Sequence, residues 1–331
     1  MLSRVADSIY WMSRYVERAE NVARFIDVNM TLMLDVTQGA EAQWLPLVNT
    51  TGDIEEFKKR YGEVNRQNVV RFLTFDTENS NSIVSCLQAA RENARSVREI
   101  ISSEMWLQLN KFYLMVRSEA ANSRSRPSPH EFFSEVKLAS HLFTGITDAT
   151  MTHGEAWHFC RLGRKLERAD KTSRILDVKF YILLRSVQDV GTPLDDVQWA
   201  TLLRSASAFE MYRKRHGRIS PSGVVQFLML DREFPRAVHF CLLAARDSLH
   251  AISGTPLGTF RYAPEKSLGL LCSEFSYTSV EELIEHGLHE YVDQLQQKIN
   301  QIGKGIFETF FAFKASKAAA PVRKGHSTQV Q

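Results

Sequence analysis

The sequence predicts an all-α protein, built as a tandem-duplicated helical bundle whose two pseudo-symmetric halves pack together. Apolar residues recur at three- and four-residue steps over stretches too long for strands. No alternating apolar run is bounded by Asn-Gly or Asp-Gly turns, so hairpins are not supported. A charged helical motif near the N-terminus returns 150 residues later.

The periodic stretches run from Ile9 to Met33, Ile83 to Leu114, Phe132 to Ile146, Phe159 to Leu184, Ala237 to Ile252 and Val280 to Phe313. Breakers separate them at Ser123–Pro129, at Gly191-Thr192-Pro193, at Gly217–Gly223 and at Gly254–Pro264. Ser3, Ser134, Asp195 and either Thr278 or Ser279 are expected to cap helix N-termini. The chain after Phe313 is rich in Ala, Lys and polar residues, and residues 316–331 are expected to be a disordered tail.

Composition narrows the class. The chain has 331 residues, 44% hydrophobic and 24% charged, which excludes collagen, a mainly disordered chain and a disulfide miniprotein. Forty-one Lys and Arg against 38 Asp and Glu leave +3, no footprint for nucleic acid. No run approaches the ~18 apolar residues of a membrane helix, and no basic-then-apolar leader opens the chain. Cys86, Cys160, Cys241 and Cys272 are widely spaced without a CxxC, so reduced core thiols in a cytoplasmic protein are expected, with no metal and no cofactor.

The repeat is in register over charges and rare residues. Arg14-Tyr-Val-Glu17-Arg18-Ala19-Glu20 through Arg24 and Asp27 matches Arg164-Lys-Leu-Glu167-Arg168-Ala169-Asp170 through Arg174 and Asp177. At an offset of 155, Trp44, Lys59-Arg60, Gly62, Asp76, Glu78 and Cys86 return as Trp199, Lys214-Arg215, Gly217, Asp231, Glu233 and Cys241. Chance likeness between amphipathic helices would repeat Leu and Ala, not Trp, Cys and a charge series. The expected division is a first repeat at 1–125, a connecting helix at 126–153, and a second repeat with a C-terminal helix at 154–315. In each copy a long first helix precedes short helices after the Trp and at the Val-Val-x-Phe-Leu run, then a long helix near the Cys.

On a helical wheel the apolar arc of the first helix spans roughly 200°, wider than a one-sided surface helix needs. Glu17, Glu20, Arg24 and Asp27 share a flank, while Arg18 sits on the far edge of the arc. Arg14 to Glu17 and Arg24 to Asp27 are i,i+3, and Glu20 to Arg24 is i,i+4, so these groups are neighbours on a helix. A solvated face would let the two copies drift. Retention of Arg14, Glu17, Arg18, Glu20, Arg24 and Asp27 as Arg164, Glu167, Arg168, Asp170, Arg174 and Asp177 sets a buried ionic network or an anion site beside the plainer reading of a solvated, salt-bridged face, since Arg forks hold carboxylate and phosphate bidentately. Arg91, Arg95 and Arg98 form a stripe whose repulsion calls for an acidic partner, either the Glu17 flank or a bound anion; only Arg91 has a counterpart, Arg246.

Other sets are weaker. Glu282, Glu285, His286, His289, Glu290 and Asp293 crowd the last long helix, where a solvated face is the better reading. His153 and His158 point apart, and His239 stands opposite Val84 of the first copy. GxGxxG, GxxxxGK[ST] and a nucleophile elbow are absent.

The block Met1-Leu2-Ser3-Arg4-Val5-Ala6-Asp7-Ser8-Ile9-Tyr10-Trp11-Met12-Ser13-Arg14-Tyr15-Val16-Glu17-Arg18-Ala19-Glu20-Asn21 resembles the bacterial alpha-E family, as do Ala90-Arg91-Glu92-Asn93-Ala94-Arg95 and Leu166-Glu167-Arg168-Ala169-Asp170. The resemblance covers about residues 1 to 315 and implies an all-helical partner of a circularly permuted ATP-grasp protein. It also implies company with a transglutaminase-like cysteine peptidase and a proteasome-related peptidase, hence amide-bond synthesis, modification or tagging. It brings no catalytic residues. Two expectations follow: a non-catalytic partner or scaffold, or an enzyme of the same pathway in which Glu17 and Glu167 line a central cleft, one acting as general base.

Overall fold

In a computed structural model describing residues 1–35, 44–122, 129–183 and 193–312, every regular element is helical. The helices are α1 (Ser3–Asp35), α2 (Leu45–Thr51), α3 (Ile54–Tyr61), α4 (Arg66–Thr74), α5 (Ile83–Ser96), α6 (Ser103–Asn122) and α7 (Pro129–Thr150). They continue as α8 (Glu155–Leu183), α9 (Pro193–Ser205), α10 (Phe209–His216), α11 (Pro221–Val225), α12 (Val238–Ser253), α13 (Ala263–Tyr277), α14 (Val280–Glu285) and α15 (Leu288–Ile306). Wide π-type turns extend α11 over Gln226–Leu230 and α15 over Phe307–Phe311.

Two long helices organise the rest. α1 packs against α5 and α7, which pack in turn on α6; α8 packs against α12 and α15, which pack on α13. α1 and α8 also lie against each other, while α2 reaches across to α8 and α9 to α1. Both are therefore wrapped on several sides, as the wide apolar arc required. Ile9, Met12, Ala19, Ala23 and Ile26 of α1 and Leu162, Ala169 and Leu176 of α8 have no solvent exposure. A single buried apolar cluster runs through both groups.

The crossing explains a glycine in mid-helix. Gly163 would cost roughly 1 kcal/mol relative to alanine by propensity alone. A Cβ there would lie 2.5 Å from the Tyr10 carbonyl oxygen and 3.2 Å from Arg14 Cγ. Gly163→Ala should therefore force α8 away from α1 and destabilise by about 1–3 kcal/mol despite the better helix former. Urea unfolding measures it, and unchanged or raised stability would mean that the helices are not in such close contact.

Several expectations are corrected. The Ile83–Leu114 run is two helices, because Val97 leaves helical geometry and the Ser102 hydroxyl accepts from the Met105 amide to open α6. That turn contains no Gly or Pro, the usual punctuation. The Val280–Phe313 run breaks at Gly287 (φ +86°). Ser134 lies inside α7 and Asp195 inside α9, so neither caps; Ser279 does cap α14, with Glu282 completing the box. Helix α13 occupies a stretch for which no helix was expected. Within the stretch 126–153, Pro129–Thr150 forms α7, packed on α1 and α6. The tail at 316–331 lies outside the described residues.

Local geometry recurs along the chain. Gly62 and Gly217 close α3 and α10 at φ +67° and +70°. Asn65 then caps α4 through the Asn68 amide, and Ser220 caps α11 through the Gly223 amide. Arg60 bonds Asp76 at 2.8 Å and Glu78 at 3.3 Å, while Arg215 bonds Asp231 and, at 2.7 Å, Glu233. Cys86 and Cys241 point their thiols at the carbonyls of Ser80 and Pro235. All four cysteines are free and buried, as core residues should be.

Candidate functional site: an exchanged Glu–Arg crossing

The two Glu-Arg dipeptides meet where α1 crosses α8, and they exchange partners. Glu17 accepts from Arg168, Nε to Oε1 at 2.7 Å and Nη2 to Oε2 at 2.7 Å. Glu167 accepts from Arg18, Nε to Oε1 at 2.7 Å and Nη2 to Oε2 at 3.1 Å. Both are bidentate fork-to-carboxylate pairs, the strongest geometry available to these side chains. The wheel had set Arg18 apart from Glu17; Arg18 serves the other helix.

Each carboxylate has further cations. Arg14 donates to Glu167 Oε2 at 2.8 Å, and Lys171 lies 3.8 Å from Glu167 Oε1. Arg236, just ahead of α12, donates to Glu17 Oε1 at 3.3 Å, to Asn21 at 3.1 Å and to Glu20 Oε2 at 2.6 Å. Arg24 pairs with Glu20, and Arg174 with Asp170 at 3.0 Å. Glu17, Glu20 and Glu167 are no more than 2% exposed. Burial pushes the Glu17 carboxyl up, but Arg168 and Arg236 outweigh it and hold it below the usual range. In Glu167 burial is outweighed by Arg18 and Arg14, and in Glu20 by Arg236 and Arg24. These acids are ionised, saturated acceptors.

The expectation of an open cleft lined by Glu17 and Glu167 is not met. A void of about 10 Å³ is bordered by Glu17, Ser13, Thr147 and Arg164, room for one water. A carboxylate with both oxygens taken by guanidinium groups, and its affinity for protons depressed, is poorly suited to act as a base at neutral pH.

Other predicted residues take partners outside the exchanged pairs. Asp27 accepts from Lys137 at 2.6 Å and bonds His130. Asp177 bonds His289, whose pKa this contact raises. Arg164 reaches Asp148 only at 3.7 Å. The Arg91 stripe never approaches Glu17: Arg91 donates to Asn110 at 2.7 Å and to Glu92 at 3.1 Å, Arg95 pairs with Glu92, and Arg98 covers Trp106. The acidic partner on its own helix, Glu92, relieves the repulsion. Arg236, Asn81, His130 and Lys137 were not foreseen. Arg236 falls opposite Asn81 at the 155 offset, and Asn81 accepts from Arg18 at 2.7 Å, so the register itself carried that signal. Among the described residues no group of three or more His, Cys, Asp or Glu is placed to hold a metal. No helix among them is long and apolar enough to cross a membrane.

Residues 1–311 match the family model described as a predicted alpha-helical domain with a conserved ER motif. The chain belongs to the Alpha-E family. Glu-Arg occurs in this Alpha-E sequence twice, at Glu17-Arg18 and Glu167-Arg168, the two dipeptides of the crossing. An uncharacterised protein of Mycobacterium bovis and one of Mycobacterium tuberculosis are each 23% identical over 96% of this chain, and a further Mycobacterium tuberculosis protein is 22% identical over the same share. The chain spans 37% of the length of these relatives. No solved structure matches.

Proposed function

We infer that the chain is a non-catalytic helical partner or scaffold for an ATP-grasp protein in an amide-bond synthesis or tagging system of the cytoplasm. The observation that carries the non-catalytic part is the saturation of Glu17 and Glu167 by arginines. Their motif then serves architecture, fixing how two long helices meet. The partner class comes from the resemblance of the N-terminal block. The length of the mycobacterial relatives, well over twice this chain, leaves room for a fused partner of that kind. A transglutaminase-like peptidase is a second partner in this reading.

The same reading takes the fold as a duplicated unit of two halves. The exchanged pairs, the Gly62 and Gly217 turns, and the Arg60 and Arg215 acid clamps support it. So does the pairing of Asp27 with His130 and Asp177 with His289, each joining a long helix to the fourth long helix of its own group.

Co-purification with a circularly permuted ATP-grasp protein from the same organism tests the proposal. A stable complex, or a changed rate of ATP turnover by that protein, is expected. No complex together with unchanged turnover overturns it.

A further inference from the structure

A second charged locus adjoins the crossing through Arg24. A cavity of about 320 Å³ opens at the C-terminal half of α1, walled by α1, α7 and the α9–α10 junction. Arg24, Lys137 and Arg204 face it together with His130, against the carboxylates of Asp27 and Glu210. Asp27 is buried and already engaged by both Lys137 and His130. Arg204 is exposed and rests over the Phe209 ring at 4.4 Å, with no carboxylate against it among the described residues.

Two independent features mark the cavity. The Arg24 side chain is more than nine-tenths buried, yet its Nε–H has no acceptor, although its other nitrogens hold Glu20 and Ser207. A buried guanidinium N–H without a partner is rare and calls for a missing acceptor. Ser207 is the one non-glycine residue at positive φ among the described residues, at +50°. At the matching offset stands Gly52 at φ +80°, beside Arg174. Where a glycine adopts this backbone freely, the serine is held in it and offers a hydroxyl to the Arg24 fork. Residues held in sparsely populated backbone regions cluster at binding sites.

We propose that this cavity binds a small oxyanion, a carboxylate or phosphate group, between the Arg24 and Arg204 guanidiniums, with Lys137 and the Ser207 hydroxyl at its edge. Planar guanidinium forks match both groups. The site stands whether or not an ATP-grasp protein is the partner.

The full chain, in chloride buffer of low ionic strength, is titrated calorimetrically with inorganic phosphate and, separately, with glutarate. Saturable binding of one of them is expected, and which one binds identifies the source of the anion. Arg204→Glu should weaken it by about tenfold or more, and Lys137→Met should weaken it also. Lys266→Glu, an exposed site on α13, should leave it unchanged. Absence of binding by either probe up to about 10 mM overturns the proposal. So does binding that survives both Arg204→Glu and Lys137→Met, or that Lys266→Glu weakens equally.

Discussion

Glu167→Gln should lower stability by about 3–5 kcal/mol, the cost of breaking a buried ion pair from one side. The amide keeps the shape but removes the charge that Arg14, Arg18 and Lys171 share. It also turns two acceptor oxygens into one acceptor and one donor, so a guanidinium N–H is left facing another donor. The loss should exceed that from Glu92→Gln, whose partners Arg91 and Arg95 lie at the surface and whose pairing is worth ~0–1 kcal/mol. Chemical denaturation of the two variants side by side gives the comparison. Equal, small effects would mean that the crossing is held by apolar packing alone.

Acid should unfold the chain steeply. Burial raises each of the carboxyls of Glu17, Glu20, Glu167 and Asp170, but neighbouring cations overcome it and their folded pKa values lie below the ordinary range. The unfolded chain therefore takes up protons first, near the ordinary values of about 3.9 for Asp and 4.3 for Glu. Stabilisation from these pairs is complete above about pH 5 and is lost as pH falls through the unfolded values toward the folded ones. With four such groups the slope can approach about 5 kcal/mol per pH unit. Urea midpoints measured from about pH 3 to 6 should be level in the upper part of that range, as far as these acids contribute, and drop sharply in the lower part. A flat profile to pH 3 would show that the acids are not held by the arginines.

Much of this was legible from spacing. The i,i+4 rule gave Glu20 to Arg24, and that pair forms; Asp170 and Arg174 pair at the same spacing on α8. The i,i+3 rule gave Arg14 to Glu17, but Arg14 goes to Glu167 on α8. Helical spacing describes neighbours on one helix and is blind to a second helix crossing within a side chain's reach. The wide apolar arc was the correct clue, since it required a helix covered on several sides. Turn chemistry set the other limit. The break at Gly287 carries a glycine, but the Val97–Ser102 turn is made of residues equally at home in a helix, and its boundary is fixed by Ile101 and Val97 entering the core. Ser207 and the α7 pair of His130 and Lys137 are tertiary neighbours of α1, 183, 103 and 110 residues away from their partners, beyond any local pattern.

The exchange at the crossing has a consequence for how such a chain can come together. Contact of residue i with j and of j with i is the mark of an isologous two-fold interface, the kind by which identical subunits self-associate. Here the reciprocal contacts, Glu17 with Arg168 and Glu167 with Arg18, join two stretches of one polypeptide. Tethering makes the encounter intramolecular and so independent of dilution. It also leaves the two sides free to differ: Arg236 donates to Glu17 on one side, while Asn81 accepts from Arg18 on the other.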